Sequence, residues 1–252
     1  MRRALYSSLF ISYIQVRYGD ETKMITVIAC TMRPSCMDNL FDNYDRQLWK
    51  DKRMIIVLNN DKMDINAYQE RANQYPENEV RVFQLPQKYK LGSCLNYAIK
   101  LAEDGLIAKF DDDDYYGPKF LREAARAIKR GKAHIVGKHT AFLYFEEKQA
   151  LMVFRRGGER KYKRNVKGGT LVFRKSVWRR VRFATNRKAG SDARWLSNCI
   201  RRGFRIYSVS KRHYVCIRSK DWNRHTQKKS TRRYMRHCKL VRRTKDFTRY
   251  VN

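Results

Sequence analysis

The chain has 252 residues and carries 57 Lys/Arg against 24 Asp/Glu, a net charge of +33. That length suits one large α/β domain or two small ones, and 42% hydrophobic residues make a sizeable core possible. The six cysteines form no CxxC pair and no zinc-type spacing with histidine, which excludes a zinc module and argues against a disulfide framework.

The charge is segregated. Residues 1–150 hold 24 Lys/Arg and 20 Asp/Glu, a net of +4; residues 151–252 hold 33 and 4, a net of +29. A cationic surface built on a near-neutral part implies a polyanionic partner: nucleic acid, anionic lipid, or a phosphate- or uronate-bearing polymer. Cys30, Cys94, Cys199 and Cys216 lie in apolar stretches and read as small core residues of a protein kept in a reducing, cytoplasmic compartment.

At the N-terminus, Arg2-Arg3 and the mostly apolar stretch Ala4 to Val16 resemble the start of a signal peptide. The stretch lacks a small-x-small cleavage site and is too short to span a bilayer. Residues 1–23 therefore read as an extension before the first strand, Met24–Cys30, with a weak interfacial anchor as the alternative. The loop Thr31-Met32-Arg33-Pro34-Ser35 follows, and Met37, Leu40, Phe41, Tyr44 and Leu48 fall at helical spacing over Cys36–Trp49. Met54–Leu58 is a continuous apolar strand ending in Asn59-Asn60-Asp61. A helix over Ile65–Gln74, a strand over Val80–Leu85 and a helix over Gly92–Ala102 come next. The strand Leu106–Phe110 then delivers four consecutive carboxylates, Asp111 to Asp114, before Gly117-Pro118 opens a helix over Pro118–Arg130.

Buried strands alternating with amphipathic helices predict an α/β fold with a mostly parallel central sheet and helices on both faces. Beyond residue 132 the pattern becomes a small antiparallel segment, with short strands at His134–Val136, Ala141–Phe145 and Leu151–Phe154, and further strands fall at Gly168–Phe173, Arg205–Val209 and Tyr214–Ile217. A helix covers Asp192–Arg201, and residues 228–252 read as a basic helical tail.

Adjacent carboxylates repel, so Asp111–Asp114 need cations or full solvation. At the carboxyl end of a strand, where open α/β sheets bind ligands, hard oxygen donors suit Mg²⁺ or Mn²⁺ carrying a phosphate. Neither GxGxxG nor GxxxxGK[ST] occurs. A nucleotide would instead be held at three strand ends: Thr31 and Arg33, Asn59 and Asp61, and Asp111 and Asp112. Asp192 is one of only four acids in the last 102 residues. Two readings stand for it: a helix cap or structural salt bridge, and a general base kept ionised by surrounding cations at a depressed pKa.

Taken together, the strand followed by Thr31–Pro34, the run Lys90–Asn96 before a helix, Asp111–Asp114, Gly168-Gly169-Thr170 and Gly190-Ser191-Asp192 resemble the GT-A fold glycosyltransferases of family 2, from about Met24 to about Thr226. The wording of Thr31–Pro34 and Asp111–Tyr116 is similar to enzymes of spore-forming bacilli, including spore-maturation types. The resemblance implies a domain over residues 24–227, with a nucleotide-binding half to residue 116 and an acceptor-side half from 117. It implies that Asp113 is a direct metal ligand and Asp111 lies near ribose and metal. Thr31 and Asn59 would contact the nucleobase, where the family commonly has Asp in place of Asn59, and Lys90 would face the nucleotide. Asp192 would match the acid that deprotonates the acceptor, with Ser191 where Glu is usual, and His225 a third metal ligand.

The activity implied is inverting transfer of a sugar from a UDP- or dTDP-type donor, with Mn²⁺ or Mg²⁺, to an anionic glycan or lipid-phosphate acceptor. Peripheral contact with an anionic membrane surface goes with such an acceptor. The competing reading is a non-catalytic polyanion-binding protein, with nucleic acid as partner. Against it, such a protein has no need of four carboxylates at a strand end, and no helix-turn-helix, zinc-finger or RNA-recognition signature occurs. A nucleotidyltransferase would carry an early Gly-rich basic signature, which is absent after Met24–Cys30.

Overall fold

The computed structural model describes residues 24–186, 190–219, 221 and 234–252. The extension 1–23 and His225 lie outside them. The first half runs β1 (Ile25–Thr31), α1 (Met37–Asp45), β2 (Lys52–Leu58), α2 (Ile65–Ala72), β3 (Val80–Gln84), α3 (Leu91–Leu101), β4 (Leu106–Phe110), β5 (Tyr115–Tyr116) and α4 (Phe120–Lys129). The second runs β6 (Ile135–Gly137), β7 (Ala141–Phe145), β8 (Ala150–Phe154), β9 (Lys161–Tyr162), β10 (Val172–Arg174), α5 (Lys175–Arg180), α6 (Ser191–Arg201), β11 (Ile206–Ser208), β12 (Tyr214–Arg218), β13 (Cys238–Arg243) and α7 (Thr248–Val251).

The main sheet has eight strands in the order β3-β2-β1-β4-β10-β6-β11-β9. The four from β3 to β4 are parallel, while β10 runs antiparallel to both β4 and β6. Strand alternation explains the two helix layers. Ile25, Val27 and Ala29 of β1, with Leu106, Ala108 and Phe110 of β4, pack against α1, α2 and α4. Ile28 and Ile107 point the other way, into the core formed by α3, α5 and α6. That parity puts Lys109, two residues after Ile107, on the face covered by α6.

The antiparallel part is larger than the sequence suggests. It forms a second sheet of five strands, β13-β8-β7-β12-β5, which takes in β5, while β6 and β10 join the main sheet. Two expectations are corrected. The C-terminal stretch is not a helical tail among its described residues: Cys238–Arg243 is a strand antiparallel to β8, and helix is confined there to Tyr234-Met235 and Thr248–Val251. The β7–β8 hairpin leaves the outer edge of β8 unpaired, and β13 satisfies those backbone groups. Val251 and Phe247 then pack on Tyr115 and Tyr144, which anchors the chain end to this sheet. Second, Gly168–Thr170 is a 3₁₀ turn, and the strand begins only at Val172. The reason lies in the site, because the turn brings two glycines against the carboxylates.

Candidate active site

The three strand ends converge as the sequence predicts. The Asn59 side chain donates to the Pro86 carbonyl (2.9 Å) and its amide to the Thr31 carbonyl (2.7 Å). Asn60 donates to the Met32 carbonyl at 3.1 Å, and an Asp61 carboxylate oxygen accepts from the Gln87 amide at 3.1 Å. The loops after β1, β2 and β3 are thus stitched together. Lys90 sits at the start of α3, where its extended backbone ends that stitched loop.

Each aspartate of the run has its own partners. Arg33 grips Asp112 through Nη2 and Nε (3.1 Å for the latter) and reaches Asp113 with Nη1 at 2.9 Å. The Thr31 hydroxyl also donates to Asp112, at 2.5 Å. Asp112 is therefore buried and engaged from within the protein, in a bidentate pair that fixes Arg33. Burial works against the charge on Arg33, but Asp112 and Asp113 outweigh it and hold its pKa above the ordinary value. Asp114 is buried too, accepting from the Tyr214 hydroxyl (2.5 Å) and the Ile217 amide (3.1 Å). Burial, then repulsion from Asp113 and Asp111, pushes its pKa up to about 7. Asn39 and Asn43 hold the backbone carbonyls of Asp112 and Asp114 from α1. Tyr116, stacked on Phe110 at 3.8 Å, accepts from the Asp111 amide and donates to the Gly169 carbonyl.

Asp192 lies in the first turn of α6. Gly190 occupies the N-cap position at φ 74°, with no side-chain cap bond. The cap reading of Asp192 therefore fails, and the residue is paired instead. Lys109 Nζ, buried on β4, reaches Asp192 Oδ2 at 3.3 Å and Asp111 Oδ1 at 2.5 Å. Asp192 Oδ1 is shut off from solvent and has no hydrogen-bond partner. The depressed pKa expected for Asp192 is also corrected. Burial raises it and Asp111 adds to the rise, with Lys109 alone opposing. The cations of the basic half do not surround this carboxylate closely enough to offset its desolvation.

Gly168 and Gly169 explain the 3₁₀ turn. A Cβ at Gly168 would overlap the Asp192 carboxylate, and one at Gly169 would overlap that of Asp111. The turn thus wedges between the two acids with no room for a side chain. The Lys90–Asn96 run has a similar role at longer range. Gly92 allows the Ala184 carbonyl to lie against α3. Asn96 exchanges bonds with Phe183, donating to its carbonyl at 2.9 Å and accepting from its amide at 3.1 Å. Phe183 stacks on buried Trp195 at 4.7 Å, and Trp195 Nε1 donates to the Val181 carbonyl at 2.7 Å. These contacts hold α6, which carries Asp192, against Val181 and Phe183.

Sequence reasoning missed Lys109, Tyr116 and Tyr214. For Lys109 the signal was available: one lysine in the otherwise apolar strand Leu-Ile-Ala-Lys-Phe. Tyr116 and Tyr214 act through contacts made across the fold, which spacing along the chain does not show.

No group of three acid, histidine or cysteine side chains among the described residues could enclose a metal ion. The donor set nevertheless fits a divalent ion that arrives with phosphate. Asp111 and Asp113 are about one-third exposed at their side chains, unlike buried Asp112 and Asp114. Two carboxylates from positions i and i+2, with phosphate and water completing the shell, is an ordinary arrangement for Mg²⁺.

Comparison with known proteins places this geometry. No curated protein matches the chain by sequence. Among solved structures it is similar to S. aureus TarS 1-349, at TM-score 0.62 and 16% identity over 77% of this chain and 60% of that one. The same fragment in complex with UDP-GlcNAc matches at TM-score 0.62 and 16% identity, over 79% and 59%. The mannosyltransferase PcManGT from Pyrobaculum calidifontis, in complex with GDP-Man and Mn2+, matches at 0.58 and 15%, over 83% and 64%. The chain thus spans about three-fifths of the length of these structures. The family model described as "Glycosyl transferase family 2" matches residues 26–188, which hold β1 to β4, the aspartate run and the Gly168-Gly169 turn. The chain belongs to glycosyl transferase family 2.

Proposed function

We propose that the protein is an inverting glycosyltransferase that moves a sugar from a UDP- or dTDP-type donor to an anionic envelope glycan or a lipid-phosphate acceptor. The supporting observation is the junction of two sets of carboxylates on one ammonium. Asp111 of the aspartate run and Asp192 of α6 meet on Lys109, while Asp112 and Asp113 tie the run to Arg33 in the loop after β1. Asp111 and Asp113 would hold a divalent ion, which neutralises the leaving diphosphate as a Lewis acid. Mn²⁺ is named with the related PcManGT structure, and UDP-GlcNAc with that of TarS.

In this reading the loops after β1 to β3 bind base and ribose, with Asn59 and Thr31 lining the base side. Asp192 takes the proton of the acceptor hydroxyl on its carboxylate. Burial raises its pKa, and a higher pKa means the greater proton affinity that a base uses. A single carboxylate on the acceptor side supports direct displacement with inversion. His225 is a candidate third ligand from outside the described residues. The net +29 of residues 151–252 supports an anionic acceptor and docking at the inner face of an anionic membrane. No helix among the described residues is long and apolar enough to cross a membrane. The likeness of Thr31–Pro34 and Asp111–Tyr116 to enzymes of spore-forming bacilli points to an envelope or spore polysaccharide.

The test is thermal-shift binding of a panel of nucleoside diphosphates and nucleotide sugars, with and without Mn²⁺, on wild type and Asp113→Ala. A ligand that binds the native state raises the melting temperature by mass action. A metal-dependent rise for one nucleotide, lost in Asp113→Ala, is expected. No rise for any nucleotide would overturn the reading.

A further inference from the structure

Lys109 is the residue of the site that the transfer chemistry itself does not call for. It stands in the middle of the main sheet on β4, 3% exposed at its side chain, among apolar neighbours. A lysine so placed is costly unless its charge is matched, and here a single ammonium is matched by two carboxylates. One belongs to the aspartate run and the other to α6, 83 residues apart in the chain for the pair with Asp192. The contact engages one oxygen of each: Asp111 Oδ1 and Asp192 Oδ2. The Gly168 backbone approaches the same Asp192 carboxylate so closely that a Cβ there would overlap it.

We propose that Lys109 is the positioning residue of the transfer reaction: it ties down Asp192 through Oδ2 and registers Asp192 against the donor-side Asp111. The inference rests on the transferase reading above, and deepens it. Lys109 touches neither donor nor acceptor. It acts by fixing the separation between the group that takes the acceptor proton and the group beside the departing diphosphate. A misplacement of an ångström between reacting groups lowers rate without weakening ground-state binding.

The test has two readouts on Lys109→Met, Lys109→Arg, Asp192→Asn and the double variant Lys109→Met/Asp192→Asn. The first is urea unfolding, which needs no activity. If Lys109 holds Asp192, the midpoint shifts of Lys109→Met and Asp192→Asn do not add in the double variant. Additive shifts would overturn the proposal whatever the kinetics show.

The second is steady-state transfer with the nucleotide sugar that binds wild type. Lys109→Met is expected to lower kcat about 100-fold while KM for the donor stays within about two-fold. Lys109→Arg, which keeps the charge, is expected to restore part of kcat. A purely structural lysine would leave folded Lys109→Met with wild-type kcat, and that outcome in an active wild type overturns the positioning role alone. A wild type that turns over no nucleotide sugar overturns the transferase reading, and the positioning role with it, even beside a coupled unfolding cycle. Should Lys109→Met not fold, Lys109→Gln, which keeps polarity and loses charge, carries the same comparisons.

Discussion

The sharpest consequence of the site geometry concerns two adjacent glycines. A methyl group at Gly168 would lie 2.6 Å from Asp192 Cγ and 2.9 Å from its Cβ, besides overlapping the carboxylate oxygen. Rotating the carboxylate cannot relieve contacts with Cγ and Cβ, so either the turn or the start of α6 must move. The start of α6 resists, because Trp195 is fully buried between Phe183 and Phe173, at 4.7 and 4.6 Å. Overpacking of this kind costs about 1–3 kcal/mol. For a chain of this size that is roughly 2–12 °C in melting temperature. The functional loss should exceed the stability loss, since the displaced atoms belong to the proposed base: a kcat reduction of about 100-fold is expected for Gly168→Ala. Gly169→Ala should differ in kind. Its methyl would meet Asp111, and Asp114 Oδ2 at 3.2 Å, so the weakened step is metal-dependent nucleotide binding. Gly131→Ala is the control, at φ 67° with no atom within 4 Å of the added methyl, expected to cost stability alone. The assay is paired: melting temperature with and without nucleotide and Mn²⁺, and kcat with donor saturating. Wild-type kcat in a folded Gly168→Ala protein would refute the wedge argument. Equal phenotypes for the two glycines would refute their assignment to separate carboxylates.

Trp195→Ala removes a ring that is fully buried and a bond to the Val181 carbonyl. It should cost about 3–5 kcal/mol in chemical denaturation; a loss under 1 kcal/mol on the same scale would mean α6 is held by other contacts. Lys138 is fully buried, with Nζ 2.9 Å from Glu123 and 2.7 Å from the Ser210 carbonyl. Glu123→Ala strands that charge and should cost about 3–5 kcal/mol, whereas an unaffected unfolding midpoint would show that Lys138 sheds its proton at little cost. The same pair predicts an acid limb. Burial would raise the Glu123 pKa, but Lys138 and the bonds to Ser210 outweigh it, and the net shift is downward. A carboxylate depressed in the fold stabilises at pH above its unfolded value near 4.5, and that stability fades as pH falls through the lower folded value. Urea midpoints of wild type should therefore drop below pH 4.5 more steeply than those of Glu123→Gln; parallel curves would contradict it. Asn96→Ala, which unties Phe183 and the Trp178 indole, should lower kcat more than donor affinity. Unchanged kcat there would disconnect α3 from the acceptor side.

Periodicity exposed the parallel half of the fold because β1, β2 and β4 bury both faces and each helix has one apolar side. Ile25–Thr31, Lys52–Leu58 and Leu106–Phe110 stand within two residues of where the pattern puts them. The same logic found α6, β11 and β12 but failed at Gly168–Thr170 and in the C-terminal stretch, where apolar and basic residues interleave without a period. There the elements are set by partners distant in sequence: β13 by the open edge of β8, and the Gly168–Thr170 turn by two carboxylates. The acids of the site were visible as chemistry, four in a row and one isolated in a basic stretch. Their division of labour was not. Nothing along the chain distinguishes Asp112 from Asp113, yet one is buried under Arg33 and Thr31 while the other is open on one side. A depressed pKa for Asp192 followed from counting cations, and burial reverses it, because desolvation acts at contact range while the basic surface is spread over a hundred residues.

The distribution of charge bears on what the basic half is for. Some of its cations are consumed inside the protein: Lys175 and Arg179 meet Asp104, and Lys211 meets Glu159. These few pairs leave the excess of residues 151–252 almost intact, since that half contains only four acids to begin with. β13 shows where part of the excess goes. Lys239, Arg242 and Arg243 are exposed on an edge strand together with Leu240 and Val241, 47% and 43% exposed. Charged residues protect an edge strand from pairing with another chain, so their presence has a sufficient structural reason there. That reason does not extend to the 33 Lys/Arg of the half as a whole, which exceed any requirement for solubility. Self-repulsion on this scale disfavours the compact state, and a surface keeps such a cost only where a counter-charge repeatedly arrives to relieve it. Under the proposed transferase reading the donor's diphosphate belongs to the other half, which leaves this surface for the proposed anionic acceptor.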